Sequence, residues 1–565
     1  MSFRSTQVLK WDKFNMKELE DRIRKARMEK KIFVVFSGYE KIRESLLKRG
    51  WLEKIPDHRL YLISPTSEKF ALGMLMKTTP FNFIWQRKTR PLKNVKDLNP
   101  CTNSIVRQRY MDFTTKDGIN NCADNFKWNF IEGHTDLTYQ RSHILSDKAM
   151  REEFSKDFRR TTLTNYILFL DCFMFIDNEI DFFFTISRKG ISVDSIDFAL
   201  KKVEDLIAED KKVDYDDDHE KILLKFTKHE MELLDEIRQI INGTKRFKLL
   251  SHFDYSILRL QIDECALKIL SHWPYLKYDG FKNVWIVKLI GSSSGYNVTV
   301  MNNEDKILKA TENISHRYIV QKYVERPLII HKRKFDIRVY VMTFIRNGFV
   351  DIWLYKDCYA KFCTKPFSLD NLDKSVHVSN YAVQKQFMNQ QDSVPNAKEN
   401  MWSLSQLIEY FTSTGHQYIW DEVIYPGIKK NLLAVIIASL EATELEVNNF
   451  ELNGADFMIA YDYQPVLIEI NSVPALYFSR TVVEMITNKL LEDVVKVVVD
   501  YRDDRKASTG DFELIHTHKI PQIQNFTPDL SINSVRLNHH IERTKSWKEK
   551  IISDISEDRN VVDVN

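Results

Sequence analysis

The chain has 565 residues, of which 43% are hydrophobic and 28% charged, and its formal net charge is +3. This length allows several domains with a large core, and the composition is ordinary for a soluble protein. The near-neutral charge argues against a protein that binds nucleic acid over its whole surface, although local basic faces remain possible. Six scattered cysteines without a Cys-x-x-Cys pair argue against a disulfide framework or a zinc site, and for reduced thiols.

The sequence offers no obvious targeting or membrane segment. Residues 1–31 lack the apolar core of a signal peptide, and the most apolar run, at 166–186, contains four carboxylates that make membrane insertion costly. We therefore predict a cytoplasmic protein with neither a membrane nor a nucleic-acid partner, and a buried helix end and strand at 166–186.

The first half of the chain indicates a small α/β unit followed by a helical region. The first predicted elements are a helix at 17–31, a strand at 31–38 and a helix at 41–49, which Gly50 closes. They predict an N-terminal α/β domain over residues 1–110. A central domain over 111–323 would contain a helical insert at about 145–270, interrupted by an acidic run at 214–219 that is best explained as a solvated loop.

From residue 283 the pattern changes to short apolar strands between polar loops. The predicted elements are strands at 284–288, 318–324, 335–345 and 349–354, a polar loop with some helix at 379–400, and helices at 404–412, 427–446 and 480–502. We predict a C-terminal domain over residues 324–516 and a partly disordered tail over 517–565, with a basic amphipathic segment at 536–555.

Hard oxygen ligands stand at regular positions in residues 456–471, which read as two strands joined by a turn. Asp456 lies thirteen residues before Glu469, and Asn471 lies two residues after Glu469. Because residues i and i+2 of a strand share a face, Glu469 and Asn471 aim together, and a hairpin would bring Asp456 opposite them. Two carboxylates and an amide oxygen suit Mg²⁺ that nucleotide phosphates also hold, so the pattern predicts use of ATP.

Three further segments are compatible with a nucleotide site, each with a plainer alternative. Lys288 ends a strand and precedes the small-residue loop 289–295, which would either cradle phosphate or form an ordinary turn. The strand exit at 321–324 would either bond an adenine edge or belong to the core. Lys334, Asp336 and Arg338 share one strand face, which is either a solvated edge or a polyanion site.

Taken together, these segments resemble the ATP-grasp ligases and, more narrowly, the tubulin tyrosine ligase-like family. The matching stretches are WIVK at 285–288, QKYVERPLII at 321–330, KFDIRVYV at 334–341 and FELNGADFMIAYDYQPVLIEINSVPAL at 450–476. Segments such as RGWLEK at 49–54, FTTKDG at 113–118 and SNYAVQK at 379–385 resemble the glycine-ligase branch of that family.

The resemblance implies an ATP-grasp-like α/β fold and an ATP-dependent ligase. Such an enzyme adds free glycine to glutamate side chains of the acidic tubulin C-terminal tail through an acyl phosphate. It also implies a monomer that binds microtubules of the cytoskeleton, including those in the axoneme of a cilium or flagellum.

The resemblance assigns roles to individual residues as well. The phosphates or nucleotide would contact Lys116, Lys288, Gly295, Lys334 and Asp336, and adenine would be held by Gln321, Lys322, Tyr323 and Val324. Mg²⁺ would be held by Asp456, Glu469 and Asn471, and the reacting groups would be flanked by Asp336, Arg338, Lys361 and Asn380.

Some positions depart from the family pattern. The phosphate loop has Ser292 and Ser294 where the family has cations and Asn297 where it has glycine, and Lys361 replaces an arginine. Each missing cation removes a charge-assisted contact of roughly 1.5–3 kcal/mol. Two alternatives therefore stay open: a catalytically weakened or inactive family member that acts as a microtubule-binding protein, and a ligase for another amino acid such as glutamate. The candidate basic patches for tubulin tails are 87–90, 332–334 and 429–430.

Overall fold

The computed structural model describes residues 15–36, 38–60, 62–85, 105–107, 112–174, 183–185, 190–210, 226–249, 255–292, 295, 297–313, 315–346, 348–387, 400–440, 447–476 and 481–520. These residues form a mixed helix-and-sheet fold, as the sequence predicts. The predicted acidic loop at 214–219, the basic run at 87–90 and the basic tail segment at 536–555 lie outside them.

The helices follow the apolar spacing of the sequence, and polar side chains cap many of them. They are α1 (Met16–Met28), α2 (Glu40–Lys48), α3 (Asp57–Leu60), α4 (Glu68–Leu75), α5 (Lys116–Asn125), α6 (Lys148–Phe173), α7 (Asp194–Asp210), α8 (Lys228–Ile241), α9 (Tyr255–His272), α10 (Glu304–Ala310), α11 (Lys374–His377), α12 (Tyr381–Gln384), α13 (Leu404–Ser413), α14 (Tyr425–Leu440) and α15 (Thr481–Val495). Helix α5 begins at Lys116 because the Thr115 hydroxyl accepts a hydrogen bond of 3.0 Å from the Gly118 N–H.

The strands include every one predicted from residue 283 onward, with ends shifted by at most two residues except in β16 (Asn449–Ile459), which begins seven residues before the predicted hairpin at 456. They are β1 (Ile32–Val35), β2 (Leu52–Glu53), β3 (Phe83–Trp85), β4 (Ile105–Arg107), β5 (Ser142–Ile144), β6 (Phe184–Thr185), β7 (Phe247–Lys248), β8 (Trp285–Leu289), β9 (Val298–Met301), β10 (Tyr318–Lys322), β11 (Ile329–Ile330), β12 (Arg333–Arg346), β13 (Phe349–Tyr355), β14 (Tyr359–Phe362), β15 (Met401–Ser403), β16 (Asn449–Ile459), β17 (Pro465–Asn471) and β18 (Phe512–Lys519).

A large mixed sheet organises the fold, and β12 is its longest strand. Strands β15, β14, β12, β16, β4, β3, β1 and β2 lie side by side in that order, while β11, β13, β17 and β18 attach beside them. The N-terminal strands β1–β4 continue the C-terminal sheet because β4 pairs in parallel with the start of β16. The sheet therefore crosses the predicted boundary at residue 110, and the domain bounds themselves stay a prediction.

Alternate residues of β12 pack on opposite faces of this sheet, as expected for a strand. Ile337 and its odd-numbered neighbours pack with α14 in one core, whereas Tyr340 and its even-numbered neighbours pack with α2 and α15 in another. Toward the start of the strand, the even positions are charged instead of apolar. This change opens the functional site described below.

A smaller antiparallel sheet in the order β5-β10-β8-β9 faces the large one and supports the helical insert. Helices α6–α9 share their own apolar core, which confirms the helical prediction for 145–270 over the residues described there. The insert is anchored to the smaller sheet because Asn283 Nδ2 donates to the Phe158 carbonyl at 2.8 Å.

Two further details concern an apolar helix and the last strand. While the apolar run at 166–186 lies partly outside the described residues, one described helix, Trp420–Leu440, has the length and apolar composition of a membrane span. It is 67% buried and packs in the core beneath β12 and β16, which is typical of a core helix. In addition, β18 pairs with β13 as far as Lys519, three residues past the predicted end of the C-terminal domain at 516.

Candidate active site

A cleft of about 940 Å³ lies between the small sheet and the large sheet, and every site residue predicted from sequence lines it. Its walls come from β8 and β10 on one side and from β12, β16 and β17 on the other. The charged lining side chains are six cations, Lys116, Lys288, Lys322, Lys334, Arg338 and Lys361, and four carboxylates, Asp117, Asp336, Asp456 and Glu469. This surplus of positive charge suits a polyanionic ligand.

Strands β16 and β17 form the predicted hairpin at the floor of the cleft. Asp456 is the register partner of Glu469, and Gly454 is the partner of Asn471. The expectation that a hairpin brings Asp456 opposite Glu469 is therefore confirmed. A β-bulge follows Asp456, and such irregularities re-aim side chains beside functional sites.

Asp456 is held by two cations from neighbouring strands. Arg338 donates to it from Nε at 2.7 Å and from Nη2 at 2.8 Å, and Lys361 donates from Nζ at 2.7 Å. Burial alone would raise the pKa of Asp456, but the charges of Arg338 and Lys361 hold it well below its usual range. Asp456 is thus an ionised anchor for both cations.

Asp336 anchors a third cation in the same way. Lys334 Nζ donates to Asp336 Oδ1 at 2.5 Å, and the Ser379 hydroxyl donates to Oδ2. The Lys334 and Asp336 side chains are buried, as is Arg338. The face that they share is therefore not a solvated edge, and its role as a polyanion site stays a prediction.

Glu469 is the one cleft carboxylate, within the described part of the chain, that has no ion pair. Asn471 Nδ2 donates weakly to it at 3.3 Å and to the Gly454 carbonyl at 3.4 Å. No group of three or more His, Cys, Asp or Glu side chains that could hold a metal occurs among the described residues. The donor set fits Mg²⁺ through Glu469 and the Asn471 amide oxygen, whereas Asp456 could join only by exchanging Arg338 or Lys361.

Two lysines face the cleft with only neutral hydrogen-bond partners. Lys288 Nζ donates to Gln321 Oε1 at 2.7 Å, and burial lowers the pKa of Lys288 to about 8. Lys116 Nζ donates to the carbonyls of Leu289, at 3.3 Å, and of Ser292, and burial likewise lowers its pKa. An anion that binds in the cleft would therefore find two ammonium groups that form no ion pair with a described carboxylate.

The phosphate loop is shaped by residues in the left-handed region of backbone space. Gly295 has a φ of +75°, and a Cβ there would meet Val383 and Asn380, so only glycine fits. Asn297, which stands where the family has glycine, has a φ of +57°, a conformation that asparagine tolerates better than most residues. Asn380 thus lies beside the loop in the same cleft, as expected, and Ser294 lies outside the described residues.

The strand exit at the other end of the cleft contains the residues predicted to hold adenine. The Lys322 side chain points away from that role, because its buried Nζ donates to the Asp279, Val284 and Tyr323 carbonyls and to Glu325 Oε1 at 2.8 Å, and the predicted adenine contact through the backbone stays a prediction. This ammonium is committed to structure because a buried charge needs close partners. The Val324 N–H, in contrast, has no acceptor among the described residues.

Two of the predicted basic patches are not free surfaces. Arg333 and Lys334 are buried, so residues 332–334 do not form the exposed patch that the sequence suggested. Lys429 donates to Glu513 at 2.6 Å and stacks over Tyr425, which leaves its charge already paired. The strand periodicity that places Lys334 in the cleft also removes it from the outer surface.

Sequence reasoning missed several residues of the cleft. Tyr139 reaches it through a β-bridge with Leu467, and burial raises the pKa of Tyr139 to about 12. His377 and Ser379 line it as well, although only Asn380 was singled out from that segment. The available signal for Ser379 was its place as the first residue of the matched segment SNYAVQK at 379–385. Nothing in the spacing of Tyr139 indicates its position.

Comparison with known proteins identifies the family of the chain. The model of the tubulin-tyrosine ligase family matches residues 222–507. The chain is 34% identical to Tubulin glycylase 3B of Drosophila melanogaster over 87% of this chain and 67% of that protein. It is 30% identical to Tubulin glycylase 3A of Drosophila melanogaster, over 90% and 53%, and 28% identical to Protein monoglycylase TTLL8 of Mus musculus, over 90% and 66%.

The chain thus spans 53–67% of the length of these three relatives. The family match covers the strands that build the cleft, from β8 to β17, together with α15. The resemblance drawn from the quoted motifs is confirmed: the chain belongs to the tubulin-tyrosine ligase family and has its ATP-grasp-like fold.

Proposed function

We propose that this chain is an ATP-dependent ligase that joins free glycine to glutamate side chains in the acidic C-terminal tail of tubulin. The observation that carries the proposal is the cleft that Lys116, Lys288 and Lys334 line together with Glu469, the one cleft carboxylate that forms no ion pair among the described residues. Glycine and tubulin come from the names of the relatives, which are tubulin glycylases and protein monoglycylases.

ATP would lie along the cleft with its base beside Tyr323 and Val324. The unpaired Val324 N–H could donate to a ring nitrogen, and the phosphates would extend toward Lys288, Lys334 and Lys116. Glu469 and Asn471 would hold Mg²⁺, which when bound neutralises phosphate charge. The surplus of positive charge in the cleft matches the negative charge that Mg·ATP retains.

The reaction needs positioned charge and no protein nucleophile. The acceptor glutamate would attack the γ-phosphate, which breaks the bond between the β- and γ-phosphates and releases ADP. The deprotonated glycine amino group would then attack the acyl phosphate, and the amide bond forms as inorganic phosphate leaves and the nitrogen loses a proton. Asp456 fixes Arg338 and Lys361 beside this point, and Arg338 Nη1 has no hydrogen bond among the described residues. That free N–H could bind a reacting carboxylate, and such preorganised charge is the main source of catalysis in this kind of site.

The altered phosphate loop does not leave the phosphates without cations. The Lys116 ammonium donates hydrogen bonds to the Leu289 and Ser292 carbonyls, in the part of the phosphate loop where the family has cations. This contact favours an active ligase over a microtubule-binding protein without activity. We further propose that the enzyme acts as a monomer on microtubules of the cytoskeleton and of the axoneme in cilia or flagella.

Incorporation of labelled glycine into purified tubulin, with and without ATP, tests the proposal. We expect ATP-dependent labelling by the wild type, none by Glu469→Gln, and none on tubulin whose C-terminal tails have been removed. Equal labelling by wild type and Glu469→Gln, or labelling that does not need ATP, would contradict it. Microtubule binding without any labelling would favour the non-catalytic alternative.

A further inference from the structure

His377 connects two parts of the cleft that lie on different sheets. It ends α11 and is buried, and its Nδ1 lies 2.9 Å from the Tyr323 hydroxyl. Its Nε2 lies 2.8 Å from the Asn371 carbonyl oxygen. Because a carbonyl can only accept, Nε2 carries the hydrogen, and Nδ1 accepts from the Tyr323 hydroxyl.

The ring is neutral, which suits this arrangement. Burial lowers the pKa of His377 to about 4, and the nearby charge of Lys334 acts in the same direction. The Tyr323 ring also meets His377 edge to face, with centroids 5.2 Å apart. Tyr323 is therefore held at its hydroxyl and along its ring by one residue.

The same short segment reaches the phosphate side of the cleft. Ser379, two residues after His377, donates to Asp336 Oδ2, and Asp336 in turn accepts from Lys334. Val378, between them, packs with Val298 of β9 and with Val383. Residues 377–379 thus join the strand exit on the small sheet to the buried lysine on the large sheet.

We propose that His377 is a positioning residue that couples the seating of a nucleotide base beside Tyr323 to the placement of Lys334 on the phosphates. The inference rests on the proposed use of ATP and adds to it a link between the two ends of the nucleotide. Loss of the acceptor at Nδ1 would leave a buried hydroxyl without a partner, which folded proteins avoid. The Tyr323 ring would then shift, and the segment that carries Ser379 would shift with it.

Two substitutions at His377 separate its two hydrogen bonds. The amide of His377→Asn reaches the position of Nδ1 and can still accept from Tyr323, whereas that of His377→Gln reaches the position of Nε2 and can donate only to Asn371. Tyr323→Phe removes the hydroxyl itself. Binding of ATP and of inorganic tripolyphosphate to the full chain, in the presence of Mg²⁺, reports the base end and the phosphate end separately.

We expect His377→Gln and Tyr323→Phe each to weaken ATP binding about tenfold, with no further loss when they are combined. His377→Asn should recover ATP affinity to within about threefold of the wild type. Tripolyphosphate affinity should change little in Tyr323→Phe, which also reports that the variant is folded. Ser379→Ala should weaken ATP binding about tenfold in the wild type but only about twofold in His377→Gln, because the link is already broken.

Three results would overturn the role of His377. The first is an ATP affinity in His377→Gln equal to that of the wild type. The second is a loss of ATP affinity in the double variant Ser379→Ala, His377→Gln equal to the product of the two single losses. The third is an equal loss of ATP affinity in His377→Asn and His377→Gln. If the wild type bound tripolyphosphate but not ATP, or bound neither, the proposed function and this role would both be overturned. Normal wild-type ATP binding with any of the first three results would overturn the role of His377 alone.

Discussion

Replacing Asp456 by asparagine is expected to lower the stability of the fold, independently of any effect on metal binding. The carboxylate is buried and accepts hydrogen bonds from Arg338 at 2.7 and 2.8 Å and from Lys361 at 2.7 Å. A neutral amide would leave these two buried cations without their counter-charge. Breaking a buried ion pair costs about 3–5 kcal/mol, which is a large part of the roughly 5–15 kcal/mol by which folded domains are stable.

Glu469→Gln is the matched control, because it makes the same chemical change on the facing strand. Glu469 is half-buried and forms no ion pair within the described part of the chain, so its replacement should change stability by less than about 1 kcal/mol. It still removes the one cleft carboxylate, among the described residues, that forms no ion pair and that we propose to hold Mg²⁺. The two substitutions therefore distinguish a carboxylate that stabilises the fold, Asp456, from a carboxylate that is proposed to bind Mg²⁺, Glu469.

Thermal unfolding followed by tryptophan fluorescence, together with ATP titrations with and without Mg²⁺, measures both effects. We expect Asp456→Asn to lower the apparent Tm by several degrees, whereas Glu469→Gln keeps the wild-type Tm and loses the effect of Mg²⁺ on ATP affinity. An Asp456→Asn protein as stable as the wild type would refute this reasoning, because the two ion pairs would then contribute nothing to the fold.

Three other outcomes are expected from the same contacts. Since burial lowers the pKa of Lys288 to about 8, this lysine loses its proton as the pH rises through 8, and ATP affinity should fall about tenfold between pH 7 and pH 9. Lys288→Met should remove this pH dependence of ATP affinity. If the dependence persists in Lys288→Met, it belongs to another group. Gly510→Ala should destabilise the protein clearly more than Gly415→Ala. Both glycines have a positive φ, but an added Cβ would collide with the Asp493 side chain at Gly510 and would meet no atom within 4 Å at Gly415. Equal urea midpoints of the two variants would contradict this. Lys322→Met should cost about 3–5 kcal/mol of stability, because it leaves the Glu325 carboxylate buried and unpaired, and an unchanged unfolding midpoint would argue against a structural role.

Strand periodicity was sufficient to predict which side chains share the cleft. The two-residue spacing of Lys334, Asp336 and Arg338 and the hairpin spacing of Asp456 and Glu469 gave the correct faces, because side-chain alternation in a strand is a local property. The motif order then placed Lys116, Gln321 and the phosphate loop in the same cleft, although no local pattern connects them.

The partners of those side chains could not be predicted, because they depend on contacts between distant strands. Arg338 pairs with Asp456 across 118 residues of sequence, so the residue predicted as a metal ligand also anchors a cation. Lys322 fits the pattern of a strand-exit lysine, yet its ammonium is drawn inward by Glu325 and three carbonyls. The join between β4 and β16 is equally non-local, so the sequence could not indicate that the first domain shares the sheet of the last.

The most direct test of the central claim is mass spectrometry of tubulin incubated with the full chain, Mg·ATP and an equal mixture of glycine, glutamate and tyrosine. The proposed function predicts that the tubulin tails gain the mass of one glycine residue or of whole multiples of it, and that Glu469→Gln adds nothing. Addition of glutamate or tyrosine instead would contradict the assigned amino acid. Unchanged tubulin masses, with Mg·ATP bound or not, would contradict the assignment of the cleft as a ligase site for tubulin.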